Sequence, residues 1–413
     1  MKFQRTSIET LDRDSLRTLG ARSGWLIETP DVIRVGCGQV VDRIELAGGL
    51  GATTSAKDRL SRHELDGADG PPGTGVVAFA ALPFDRNATG TLSVPEFVVT
   101  QLANGEAWLT TSSSPEAWRA LYDDVVAPTQ ATQRPSTVVF QPAPEVYARH
   151  VAHAVEILRR KEIDKVVLAR AVLGTVPEPF DAAAIAQRLR LREPICTLYS
   201  LPTDDGRRFV GASPELLVRR SADSIQCHPL AGTITLPENV SPDDYETWLL
   251  GSTKNLHEHA LVVDEIVSNL SNVYDDITVD AQPSIVALRT VAHLGTRLTA
   301  RWTGDQPAPD ALDVLRMLHP TAAVGGMPRE GAYELLCRLE EHDRGNFAGP
   351  LGWMDAEGDG EWWIGLRGVL LQGREFEAWA GAGIISESDP FAEREETRDK
   401  LAVVLSTVLV DPL

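Results

Sequence analysis

A chain of 413 residues, 43% hydrophobic and 24% charged, is long enough to bury a large core and is not low-complexity. Its formal net charge of -20 excludes nucleic acid or an anionic membrane as the main partner, because both require a basic footprint. Four widely spaced cysteines (Cys37, Cys196, Cys227, Cys337) form no CxxC pair and read as buried thiols, no apolar run approaches a membrane span, and the N-terminus carries charges throughout; these features predict a cytoplasmic protein.

Residues 1–140 read as a β-rich scaffold. Its strands are predicted at Trp25–Glu28, Val32–Val35, Arg43–Leu46, Gly75–Leu82, Gly90–Val99 and Ala107–Thr111, with a short helix over Ser55–Leu65 and a flexible connection over Val126–Thr137. From 141 to 413 the pattern changes. An amphipathic helix after Pro144 leads into the apolar strand Lys165–Arg170, and a second helix spans Asp181–Arg192. Several adjacent strands follow, at Ile195–Leu201, Arg208–Gly211, Leu216–Arg219 and Ser224–Pro229. One long helix is expected over Asp243–Val273, then strands at Ile277–Val279 and Val291–Trp302 and helices at Asp310–Leu318 and Arg329–Glu341. Strands Phe347–Met354, Glu361–Gln372 and Phe376–Ile385 precede a last helix, Phe391–Val408. Adjacent strands without strict helix–strand alternation imply an α+β fold, a large mixed and mainly antiparallel β-sheet sandwich flanked by helices, with the first 140 residues packed into the same unit.

Candidate chemistry is concentrated in the second part. Lys165 opens a strand otherwise made of Val, Leu and Ala, where an ammonium is unusual; it is either a general base or a side chain snorkelling at a strand end. Glu215 follows Pro214 at a bend between strands, and a carboxyl walled by apolar residues has a raised pKa and can act as an acid. His257 and His259 cannot share one metal ion, because residues two apart on a helix point about 200° from each other. Glu258 between them, with Glu393 and Glu396 on the last helix, offers the oxygen ligands that Mg2+ prefers. Glu393, Glu396 and Lys400 share one face; a solvated Glu396–Lys400 ion pair is the plain alternative. Gly381-Ala382-Gly383 lets a ligand touch backbone, but position 386 is serine where GxGxxG needs a third glycine, and no βαβ unit surrounds it. The Pro229–Thr233 turn, with Gly232 and Thr233, can present amides to a carboxylate, His293 lies in apolar surroundings, and Arg367 interrupts a strand where it could grip a carboxylate bidentately.

Seven segments in order carry a resemblance: KVVLAR (165–170), GASPELL (211–217), PLAGT (229–233), KNLHEHALVVD (254–264), LHPTAAVGG (318–326), AGPLGWMD (348–355) and AGAGIISESDPFAEREETRDKL (380–401). Together they are similar to the chorismate-utilising enzymes, and within them to the isochorismate synthase branch, over residues 140–413. The resemblance implies chorismate as substrate, Mg2+ as cofactor and a monomer, with Lys165 matching the base that activates water and Glu215 the acid that protonates the departing hydroxyl. It matches Glu258 and Glu396 to magnesium ligands with Glu393 close by, and Gly232, Arg367, Lys400 and the 381–383 backbone to groups around the substrate carboxylates. His293 matches a histidine close to the substrate ring. Anthranilate-forming relatives lack a lysine at position 165, and aminodeoxychorismate synthases have one at the position of Ala231. Salicylate synthases tend to have threonine near Ala323, so Ala323-Val324 favours stopping at isochorismate, which relatives pass to menaquinone or siderophore synthesis. Salicylate synthase, an anthranilate synthase component I-like enzyme, and a metal-dependent binding protein for a carboxylated metabolite are the alternatives.

Overall fold

The computed structural model describes residues 1–51, 56–129, 132–236, 241–340 and 342–410. Among them, hydrogen bonding joins twenty strands into one sheet and three into a second, and the pairing is antiparallel apart from Lys2–Ile8 beside Glu64–Gly67. Helices pack on this mainly antiparallel system, which is the α+β arrangement that the strand pattern predicts. The strand Lys165–Thr175 is apolar apart from Lys165, Arg170 and Thr175, and its first eight residues are buried on both faces. Along one edge it runs antiparallel to Glu375–Ile384, from Thr175 opposite Glu375 to Val166 opposite Ile384. N-terminal strands enter the same sheet: Leu198 pairs with Glu28, and Leu351 with Ala81.

Two helices bring charged residues to this strand pair. Thr253–Leu270 buries Val262, Ile266 and Leu270 at helical spacing, and Pro390–Val408 buries Leu401, Val404, Leu405 and Val408. Each such side chain stabilises its docking by roughly 1.5–3 kcal/mol, so the helices are held by their C-terminal halves. Their N-terminal turns carry the polar residues. The side chain of Asp389 caps the last helix by accepting from the amides of Phe391 and Ala392.

Several predicted boundaries change, each where a single residue breaks a run. The expected helix 243–273 is two helices, Pro242–Gly251 and Thr253–Leu270, because Ser252 leaves the helical conformation and caps the second one through Asn255 N. The run 291–302 splits into Val291–Gly295 in the small sheet and Leu298–Arg301 in the large one. Likewise 361–372 becomes Gly360–Ile364 and Gly368–Gln372, so Arg367 lies in a break and not inside a strand. The Pro229–Thr233 turn is mostly strand, Leu230–Thr235, with a bulge at Gly232.

At the N-terminus, Val32–Leu46 is one strand where two were expected, and the helix expected over 55–65 is only Ala56–Leu60, Ser55 lying outside the described residues. The strand Lys2–Ile8 and the helices Arg13–Ser23 and Pro115–Asp123 were not anticipated. Within the expected connection 126–137, residues 130 and 131 lie outside the described residues, and Gln133 bridges to Leu409. Three of the thiols are buried, but Cys337 is exposed, because its helix presents that face to solvent.

Candidate active site

The site lies where two hairpin strands are interrupted side by side. Strands Arg208–Ser213 and Leu216–Ser221 are separated by Pro214-Glu215, and their partners Gly368–Gln372 and Gly360–Ile364 by Gly365–Arg367. Proline denies a ladder donor at 214, so the chain bends and Glu215 turns out of the sheet. Ser213 Oγ donates to Ile364 O at 2.6 Å and Ile364 N to Glu215 O at 3.1 Å, fixing the two breaks against each other. Arg367 is held at φ +53°, a left-handed conformation that a non-glycine residue adopts only under constraint from its surroundings.

Opposite these breaks the small sheet supplies His293 and Thr233, which face each other in register. Arg367 Nη2 donates to His293 Nε2 at 2.6 Å, so that nitrogen is unprotonated, and Nδ1, 2.9 Å from Thr233 Oγ1, carries the hydrogen. Burial, then the charges of Arg367 and Lys400, hold the imidazole well below its ordinary pKa. Gly232 sits at φ +72°, and a Cβ there would come 2.9 Å from Asn255 O; this close approach brings the helix Thr253–Leu270 against the small sheet.

Between these walls is a partly open cavity. Glu215, Glu258, His293, Arg367, Glu396 and Lys400 bring its charged and titratable groups, and Gly232, Thr233, Ala323, Gly381 and Gly383 also line it. Phe347 and Trp379, stacked at 5.7 Å and 14°, form an apolar wall. Burial lifts the Glu215 carboxyl to about 8 against the opposing pull of a backbone hydrogen bond and of Lys165 and Lys400, so it holds its proton at neutral pH.

Three lysine–glutamate pairs converge beside the cavity. Lys165 Nζ is 3.0 Å from Glu258 Oε1, Lys254 Nζ donates to Glu393 Oε1 at 2.6 Å, and Lys400 Nζ donates to Glu396 Oε1 at 2.7 Å and to Gly381 O at 3.0 Å. Burial opposes charge on Glu258, but Lys165 outweighs it and the carboxyl lies below its ordinary pKa. Glu393 goes the other way, raised by burial and by Glu396, with Lys254 opposing. Among the described residues, no three His, Cys, Asp or Glu side chains close round a single point as they stand. The donor chemistry nevertheless fits a hard divalent cation: carboxylate oxygens only, two of them on the cavity wall, where Mg2+ would keep waters for a ligand to displace.

Three predicted site residues stand off the cavity surface. Lys165 is fully buried, behind Glu258 and Gly383, and Glu393 faces Lys254. The side chain of Ala382 points into the hydrophobic core, because side chains alternate along a strand that presents positions 381 and 383 to the cavity. His257 is exposed and His259 buried, 2.7 Å from Thr296 Oγ1, on opposite helix faces as their spacing requires.

Other contributors had no separate sequence signal. Arg344, far along the chain, donates to Val167 O and Val324 O at 2.7 Å each and so ties the Lys165 strand to the Ala323 loop. Arg170 is a buried cation on the same strand as Lys165; it reaches Thr397 Oγ1 at 2.9 Å and Arg394 O at 3.0 Å, setting the rotation of the helix that carries Glu393, Glu396 and Lys400. Its guanidinium lies over the rings of Phe140 and Tyr147, an aromatic cradle in place of a carboxylate. The one usable hint was an arginine inside an apolar run.

The fold and the site define an α+β enzyme. The sequence model of the family described as chorismate binding enzyme matches residues 21–409, and the chain belongs to that family. The vibriobactin-specific isochorismate synthase of Vibrio cholerae is 30% identical over 418 residues, covering 100% of this chain and 98% of that one. A Mycobacterium tuberculosis protein provisionally named isochorismate synthase MenF is 37% identical over 350 residues, 82% of this chain and 88% of that one. The solved structure of MenF, the menaquinone-specific isochorismate synthase of Escherichia coli, shares the fold with a TM-score of 0.82 at 24% identity, covering 98% of this chain and 94% of that one.

Gly383 is the tightest point of the site: a Cβ there would fall 2.2 Å from Glu258 Oε1 and 3.0 Å from Lys165 Cε. Gly383→Ala is therefore expected to separate that pair and reduce turnover of the family's substrate by roughly 100-fold. Near-UV circular dichroism should stay native, since neither residue belongs to the apolar core; steady-state kinetics of the folded variant provide the check.

Proposed function

We propose that this chain is an isochorismate synthase, converting chorismate reversibly to isochorismate by adding water at ring C2 with loss of the C4 hydroxyl. The observation that carries the reading is that a chorismate-binding enzyme has, on the wall of its cavity, a carboxyl that keeps its proton and, directly behind that wall on a separate segment, a fully buried lysine. Acid–base catalysis needs two groups in opposed states on two sides of the substrate. Here Lys165 takes a proton from the attacking water, the ring double bonds shift, and Glu215 gives its proton to the departing C4 oxygen. Arg367, Lys400 and the amides around Gly232 and Gly381 hold the carboxylates, and the neutral His293 stands beside the ring.

Glu258 and Glu396, with Glu393 behind them, would hold Mg2+, which supplies positive charge for a substrate carboxylate in a chain of net charge -20. Lys165, Lys254 and Lys400 neutralise the same carboxylates otherwise, which supports a site built to exchange one set of cations for another. Relatives named as isochorismate synthases support the same reading. Among the described residues no helix is long and apolar enough to cross a membrane.

Incubating the protein with chorismate and Mg2+ without ammonia should give isochorismate in equilibrium with chorismate. Salicylate with pyruvate, anthranilate formed only when ammonia is added, or no turnover would each overturn the assignment. The pH profile follows from Glu215. Its acid form is present below about 8 and is lost above it, so kcat/KM should fall about tenfold per pH unit on the alkaline side. Glu215→Gln should remove that limb and lower kcat by roughly 100-fold to 10,000-fold. Lys165→Ala should abolish turnover while chorismate still binds, as measured by titration calorimetry; retained turnover would take Lys165 out of the base role. Glu396→Gln should raise the Mg2+ concentration needed for half-maximal activity and weaken the rise in melting temperature that Mg2+ gives the wild type.

A further inference from the structure

The space around Arg367 does not end at the active-site cavity. Arg367 and Val404 also line a second, partly open cavity, whose wall includes Arg192, Glu193, Thr235, Arg289, Asp399 and Ser406. Its arginines form no ion pair among the described residues, although the charges of Arg367, Arg289 and Arg192 all act on Glu193. Arg192 Nη1 and Arg188 Nη2 donate to Ser406 O at 2.7 and 3.1 Å, and Arg188 Nε and Thr290 Oγ1 are buried with no hydrogen-bond partner among the described residues. Arg289 is exposed, and its guanidinium forms no ion pair or hydrogen bond among the described residues. Burial, then the like charges of Arg289 and Arg188, lower the pKa of Arg192.

Two acids share this wall, and both are engaged. Glu193 is buried with its pKa raised by that burial, Arg367 and Arg289 opposing, and Asp399 accepts from Thr235 Oγ1 and Arg398 Nη2. Complementing the C-terminal end of the last helix explains Arg188 and Arg192, which bond its carbonyl at Ser406. It does not explain Arg289, whose backbone bonds Glu193 but whose guanidinium forms no ion pair among the described residues. In a chain of net charge -20, an unpaired guanidinium at the mouth of a cavity that opens onto the carboxylate-binding arginine is a local reversal of the field.

We propose that this second cavity is an anion-receiving antechamber, in which Arg289 and Arg192 draw a small dicarboxylate out of solution and pass it to Arg367. The identity of that dianion as chorismate rests on the function proposed above; the antechamber itself rests on the shared wall and the unpaired arginine. A dianion gains from such a charge on approach, and the gain disappears when salt shortens the Debye length from about 30 Å at 0.01 M to a few Å near 1 M.

The test is stopped-flow association of chorismate in the presence of Mg2+, followed by tryptophan fluorescence, since Trp379 lines the active-site cavity. Wild type, Arg289→Glu and Arg289→Lys are compared between 10 mM and 500 mM salt. The expected result is an association rate about tenfold lower for Arg289→Glu at 10 mM, with the gap closing to less than about twofold at 500 mM. The dissociation rate should not change, and Arg289→Lys should keep the wild-type salt dependence. Wild-type association by Arg289→Glu at low salt would overturn the proposal, as would a loss that persists at 500 mM, which marks structural damage rather than lost attraction. Product identity decides the proposed reaction separately from these rates.

Discussion

The contact between Lys165 and Glu258 is the constraint on which the rest of this molecule depends. It joins a strand in the middle of the large sheet to a helix whose C-terminal half docks through apolar side chains, and it exists only because position 383, on the neighbouring strand, has no side chain. Both charges lie out of water, so each is stable only in the other's presence or beside a substitute. A buried lysine next to a carboxylate that also faces the cavity couples the interior of the sheet to the cavity wall. The same arrangement recurs at Lys254–Glu393 and Lys400–Glu396, where the second pair also grips Gly381 O.

Around that contact, the fold works by interrupting its own regularity. Pro214-Glu215 and Gly365–Arg367 are opposed gaps in a pair of antiparallel ladders, and the Gly232 bulge is a third. Each gap frees one polar side chain or amide from the sheet and aims it at the same space, while the flanking ladders keep it in position. Arg367 accepts an unfavourable backbone conformation for this, and its partner His293 stays neutral because it is buried and because the charge of Arg367 lies beside it. Arg170 and Arg344 act at a distance, as buried cations that satisfy backbone carbonyls and thereby lock the helix and loop that face the Lys165 strand.

Much of this was legible in the chain. Lysine in an apolar run, proline before Glu215 and paired glycines at 381 and 383 each break a local rule, and local violations are readable because the expected pattern around them is strong. Glu393, Glu396 and Lys400 were readable as one face of a helix. The helix break at Ser252 was missed, although serine followed by a threonine-led helical run is an N-cap signal; the surrounding periodicity ran through it. The split of 291–302 was less visible, since both halves are apolar and only their partners differ. The inward side chain of Ala382, between two glycines that face the cavity, follows from strand alternation.

By itself the sequence determined which residues could do chemistry and which elements would carry them, since periodicity, capping and broken patterns are local properties of the chain. It could not determine that Glu258 meets Lys165 across Gly383, that Arg367 meets His293, or that Phe347 stacks on Trp379, because those contacts join residues tens of positions apart. Only the packed sheet decides them: strand register sets which side chains share a face, and burial, a consequence of the whole fold, turns an ordinary glutamate at position 215 into an acid that keeps its proton at neutral pH.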